Sequence, residues 1–115
     1  VGVAVVVAVG VAVAVAVGVA LKGGIMAKIM SPLSVGRAVF MRTVTMYYTG
    51  RVALVKASEV VLTDAAWIAD TGRFADTLSK GTLNEIEPFP APVSINRGAI
   101  VDVTEWKHAL PRTQK

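Results

Sequence analysis

Residues 38–63 decide how this chain folds. They read Ala38-Val39-Phe40-Met41-Arg42-Thr43-Val44-Thr45-Met46-Tyr47-Tyr48, then Thr49-Gly50, then Arg51-Val52-Ala53-Leu54-Val55-Lys56, then Ala57-Ser58-Glu59, then Val60-Val61-Leu62-Thr63. Val44, Met46 and Tyr48 alternate with Thr43, Thr45 and Tyr47, which is the two-residue period of a strand rather than the 3.6 of a helix. The stretch is rich in β-branched and aromatic residues, which pack well on a pleated surface. The pattern therefore predicts one strand over 38–48, a tight turn at Thr49-Gly50, a second strand over 51–56, a turn at 57–59 and a third strand over 60–63.

Downstream, Asp64-Ala65-Ala66-Trp67-Ile68-Ala69-Asp70 continues as strand or edge segment. A short helix follows, with Asp70 or Thr71 as its N-cap, Phe74, Ala75 and Leu78 on its apolar face, and Gly81 as its stop. Glu85-Ile86-Glu87-Pro88-Phe89-Pro90-Ala91-Pro92 reads as an extended connector stiffened by proline. Pro92–Ile95 is a fourth strand, Asn96-Arg97-Gly98 a turn whose Asn/Gly pair can take positive φ, and Ala99–Thr104 a fifth strand. Trp106 is expected to pack against the end of the sheet. Five short strands with tight turns and one inserted helix predict a mostly β fold, a small SH3-like or Sm-like five-stranded barrel.

Upstream the sequence changes character. Val1 to Ala20 contain only Val, Ala and Gly, with Val at every odd position and Gly2, Gly10 and Gly18 eight residues apart. The chain thus divides into a low-complexity tract, 1–25, and a domain, 26–115. Three readings of the tract stay open. As a strand it would carry Val1, Val3, Val5, Val7, Val9, Val11, Val13, Val15, Val17 and Val19 on one face. It would reach ~66 Å, too long for one small barrel and suited to joining subunits. As a helix, residues 1–21 match the ~20 residues that cross a bilayer, with Lys22 at the membrane edge. As a non-native extension, it would precede a natural start at Met26-Ala27-Lys28-Ile29-Met30.

The 115 residues include no cysteine, which excludes disulfides, thiolate metal sites and cysteine nucleophiles. Small secreted domains often need disulfides, so their absence points to a cytoplasmic or virion protein, or one stabilised by assembly as an extracellular filament. A foldable part of this size buries only ~60–65 % of its unfolded surface, so oligomerisation would help it. The net charge of +4 comes from dispersed cations with no polybasic run.

The residues offer little chemistry. His108 is the single histidine and lacks an evident nucleophile or orienting acid nearby in sequence. Asp70, Asp76, Glu85 and Glu87 follow no metal-binding spacing, and the glycines form neither a P-loop nor a dinucleotide fingerprint. No enzyme, cofactor, metal or small-molecule substrate is expected. A nucleic-acid face would need Arg42, Tyr48, Arg51, Lys56 and Arg97 together, with at most one of Tyr47 and Tyr48 on it because neighbours in a strand face opposite ways. Asp64 with Arg73, and Asp102 with Arg97, are candidate ion pairs.

Two resemblances add to this. Thr49-Gly50-Arg51-Val52 and Ile95-Asn96-Arg97-Gly98-Ala99-Ile100 are similar to the two short motifs of the Sm/LSm family. That resemblance implies a small RNA-binding barrel. The family's base-binding loop carries an Asp and an Asn, whereas this chain has Ala57-Ser58-Glu59, so the usual uridine pocket is missing. Over Val35 to Lys115, the phrases Met41-Arg42-Thr43-Val44-Thr45, residues 64–74, Arg97-Gly98-Ala99-Ile100-Val101-Asp102 and Trp106-Lys107-His108-Ala109-Leu110-Pro111 resemble a family of small uncharacterised bacterial and phage proteins. This implies a fold and a genomic setting but no activity. The expectation is a non-enzymatic structural protein that assembles with itself into a homo-oligomer or filament, virion-associated or pilus-like. The alternatives are a nucleic-acid-binding module and a small domain anchored in a membrane through residues 1–21.

Overall fold

A computed structural model describes residues 31–115. All the readings of the tract, including its ten odd-numbered valines, lie outside the described residues. The domain is mostly β, as the alternation predicts. Its elements are β1 (Ala38–Thr43), β2 (Tyr47–Val55), β3 (Glu59–Asp70), α1 (Phe74–Lys80), β4 (Glu85–Pro88), β5 (Val93–Asn96), a 3-10 turn (Arg97–Ala99) and β6 (Ile100–Glu105). All pairings are antiparallel, in the order β4-β3-β2-β1-β6, with β5 also on β3. The sheet has six strands rather than five, and among the described residues no ladder joins its two ends.

Three differences from the sequence reading have identifiable causes. The first predicted strand breaks at Val44–Met46. Thr43 turns the chain there: its N–H donates to Met46 O at 2.8 Å, and its hydroxyl accepts from Met46 N at 3.1 Å. A threonine hydroxyl competes locally with the ladder, and alternation alone does not register that competition. Thr49-Gly50 is no turn but the buried middle of β2. A Cβ on Gly50 would lie 3.0 Å from Leu62 Cβ and 3.2 Å from Ala65 Cβ, so glycine serves close strand packing at this point. Residues 85–88 are a strand, not a connector. Pro88 fits because the ladder turns its nitrogen outwards, where no donor is required.

β3 is the spine. It pairs with β5 along Glu59–Leu62 and with β4 along Ala66–Asp70. Between these stretches lies a bulge, with Asp64 at φ 49°, the one non-glycine at positive φ among the described residues. Ala65 and Ala66, next to the bulge, are both buried, on opposite faces as neighbours in a strand are. One face buries Val39, Met41, Val52, Val60, Leu62, Ala65 and Ile95. The other buries Phe40, Ala66, Ile68, Leu83, Ile86 and Trp106. Trp106 stacks on Phe40 with ring centroids 5.7 Å apart, within this second cluster.

The helix is present and stops at Gly81, at φ 76°, as predicted. Its inner face differs. Thr77 is fully buried and donates its hydroxyl to Thr71 O at 2.9 Å, while Phe74 and Leu78 remain over 40 % exposed. The N-cap is Arg73 rather than Asp70 or Thr71. Asp70 is already committed to an earlier turn, accepting from Gly72 N at 2.9 Å. Gly98 does not adopt positive φ; instead the Asn96 side chain accepts from its N–H at 2.7 Å and shapes a 3-10 turn. No described helix is long and apolar enough to cross a membrane.

Candidate functional site: the open edge of the sheet

An edge strand carries backbone N–H and C=O groups that no ladder satisfies. Among the described residues β4, β5 and β6 are edge strands, β5 pairing with β3 alone, and β4 and β6 are finished differently. Along β4, Ile86 and Lys115 exchange both backbone hydrogen bonds at 3.0 Å. Pro88, two residues on, carries no outward N–H. The tail that brings Lys115 there is held at several points. Trp106 Nε1 donates to Ala109 O at 3.0 Å, and the His108 ring shares a hydrogen bond with Leu78 O at 2.9 Å. Arg112 donates to Ala65 O at 2.7 Å and to Phe89 O at 2.9 Å. The arginine thus supplies carbonyls at the β3 bulge, where the ladder is interrupted. The β4 edge is closed by the chain itself.

β6 has no such cover: no described strand pairs its outer side. Its outward groups follow from the ladder. Trp106 N donates to Ala38 O at 2.9 Å, and Phe40 is opposite Thr104. Antiparallel pairs alternate between bonded and unbonded, so Thr104 and Asp102 bond to β1 while the backbone groups of Val103 and Glu105 face outwards. A bulge at Val101 ends the regular run, leaving Asp102–Glu105 as the usable edge. Val101 itself is 56 % exposed, and the neighbouring turn carries Val44 at 71 %.

Asp102 is tied back within the sheet. Arg42 Nε donates to both carboxylate oxygens at 3.0 Å. This hydrogen bond, more than the charge alone, holds the Asp102 carboxyl below its ordinary value. Arg42 is likewise held above its own, by the same hydrogen bond first. The predicted Asp102–Arg97 pair is therefore replaced: Arg42 is the cross-strand neighbour of Asp102, and Arg97 instead donates to Lys56 O at 2.9 Å. The described ion pairs are Arg42–Asp102, Lys56–Glu59 and Lys80–Asp76, with none between Asp64 and Arg73.

The five residues of the supposed nucleic-acid face are dispersed. Arg42 and Arg51 share the Phe40 face but sit opposite Asp102 and Ala38, at different ends of β1. Arg51 donates to Gly36 O at 3.0 Å. Lys56 and Arg97 come together at the β2–β3 turn. Tyr48 lies on the opposite face, stacked on Phe89 with centroids 6.1 Å apart, while Tyr47 stacks on Phe40. Among the described residues no cluster of three or more His, Cys, Asp or Glu could hold a metal. The bindings of Arg112, His108 and Lys115 were not legible in the sequence, since each depends on a partner over twenty residues away. The one available signal for the edge was Pro88 within an alternating Glu85-Ile86-Glu87-Pro88, a pattern typical of edge strands.

No family model, no curated protein and no solved structure matches the chain.

Proposed function

We propose that the protein is a non-enzymatic structural component that assembles with copies of itself. The observation that carries this reading is the edge of β6, whose outer side no described strand pairs, in contrast to β4, which the residue 106–115 tail covers. An open edge with unsatisfied outward groups is a pairing surface. The tract, uncharged, alternating and proline-free over its first twenty residues, supplies a second joining element in the same sequence. A virion-associated setting accords with the resemblance to small bacterial and phage proteins over residues 35–115, and a pilus-like fibre with a secreted setting.

The finer fold proposed is an SH3-like or Sm-like barrel. Support comes from the 3-10 turn, in which three residues link β5, on β3, to β6, on β1. So short a link draws the two ends of the sheet towards each other around the Val39–Leu62 core. The dispersal of Arg42, Tyr48, Arg51, Lys56 and Arg97 gives nucleic-acid binding less support.

The test is sedimentation and electron microscopy of the full chain beside a variant lacking Val1–Gly24. Ordered oligomers or fibres of the full chain, weakened or abolished by the deletion, are the expected result. A monomeric full chain at every concentration would sink the reading.

A further inference from the structure

We propose that Trp67 and Glu87 form a docking point for an arginine side chain presented by a segment of another protein. The inference goes beyond the assembly reading and stands without it.

Trp67 lies in β3 between Ala66 and Ile68, both buried in the Phe40 cluster, so its indole projects to the other face. There it is half-buried. It is the one aromatic among the described residues that packs into neither core and touches no other ring. Its indole N–H has no hydrogen-bond partner among the described residues, whereas that of Trp106 donates to Ala109 O at 3.0 Å. The fold therefore makes no use of this large ring, and a tryptophan left in that state is a typical anchor for a partner.

The neighbours of Trp67 set the chemistry of that partner. In register it is opposite Tyr48 on one side and Glu87 on the other. Glu85 and Glu87 flank Ile86, which is buried in the Phe40 cluster, so both carboxylates share the face of Trp67. Both are exposed, and neither belongs to a described ion pair. Glu87 accepts one long bond, from Gln114 Nε2 at 3.4 Å. Arg112, the cation of the adjoining tail, donates to Ala65 O and Phe89 O rather than to either carboxylate. An indole beside two unpaired carboxylates is complementary to a cation, although the chain as a whole carries +4. Cross-strand neighbours hold their Cβ atoms ~5 Å apart, so one group can lie on the indole and reach Glu87. A guanidinium meets both demands, with a flat face for the ring and a donor fork for the carboxylate; an ammonium lacks the flat face. The same carboxylates repel phosphate, which excludes a nucleic acid from this face.

The test is a fluorescence titration of the full chain with the peptide acetyl-Ala-Ala-Arg-Ala-Ala-amide, and with the same peptide carrying lysine or uncharged citrulline. The emission of Trp67 is isolated as the difference between the full chain and Trp67→Leu. It should change saturably with the arginine peptide, over concentrations up to ~10 mM. The lysine peptide should bind about threefold more weakly, and the citrulline peptide should have no effect. Glu87→Gln keeps the indole and the shape of the face, and should weaken arginine binding about fivefold. No change at ~10 mM overturns the proposal, as does an equal response to citrulline or a Glu87→Gln variant that binds like the parent. Loss of self-association in Trp67→Leu, read by sedimentation, would assign the face to a second copy and overturn it as well.

Discussion

Gly50 and Thr49 sit side by side in the middle of β2 and face opposite ways into the two cores. Gly50 lies under Leu62 and Ala65, so Gly50→Ala forces strands apart at the β3 bulge. A loss of about 1–3 kcal/mol in denaturant unfolding is expected, the usual cost of overpacking. Thr49 is fully buried and its hydroxyl has no hydrogen-bond partner. Thr49→Val removes that unsatisfied group and should stabilise the protein by about 1 kcal/mol in the same measurement. Gly81 combines a left-handed φ with a side chain packed on it: a Cβ there would come within 2.6 Å of His108 Cγ. Gly81→Ala therefore strains the helix end and dislodges the tail together. Asp102 belongs to this scale through its pH dependence. Its folded-state pKa is depressed, so the stability it contributes is present above the unfolded value, about 4. That contribution disappears as pH falls through the lower folded value. Asp102→Asn should flatten the acid limb of a stability–pH profile below pH ~4 and leave the limb above neutrality unchanged. The pair is solvent-exposed and its contribution correspondingly small.

The C-terminal tail works as an element although it has almost no secondary structure of its own. Residues 106–115 fasten to α1 through His108, to the bulge through Arg112 and to β4 through Lys115. Arg112→Ala leaves Ala65 O with its Phe89 N–H bond alone and removes the guanidinium from Phe89 O. Loss of hydrogen bonds from a charged donor predicts destabilisation of about 1.5–3 kcal/mol. Amide exchange should accelerate first at Ile86, whose N–H donates to Lys115, with core amides such as Leu62 slowest. Equal acceleration at Ile86 and Leu62 would show that the tail opens only with the whole domain. The helix shows the same dependence on context. An i, i+4 apolar pair, Phe74 and Leu78, would ordinarily mark its buried face, yet Thr77 points inwards because Thr71 O accepts its hydroxyl bond.

At the scale of the molecule, the tail covers the β4 edge while no described strand pairs the outer side of β6, and association becomes part of stability. A small domain buries a modest fraction of its surface, and any partner that binds the folded state alone raises its melting temperature. The full chain should melt at higher temperature as its concentration rises. A melting temperature independent of concentration in the parent would argue against association linked to folding.

The sequence by itself determined the β class, the positions of β5 and β6 to within a residue, and the helix with its Gly81 stop. It also determined the absence of any cysteine chemistry. These follow from short-range rules: a two-residue period, the turn and cap preferences of glycine and asparagine, and composition. Only the tertiary structure decided that Gly50 is a packing position rather than a turn. It also decided that 85–88 is a strand, that Arg42 rather than Arg97 holds Asp102, and that residues 106–115 cover the β4 edge while no described strand pairs the outer side of β6. Each depends on which distant segment arrives opposite. A glycine that turns the chain and one that lets a neighbouring strand approach look identical in sequence, because the side chain that makes the difference, here Leu62, lies twelve residues away and reaches Gly50 only after the sheet has formed.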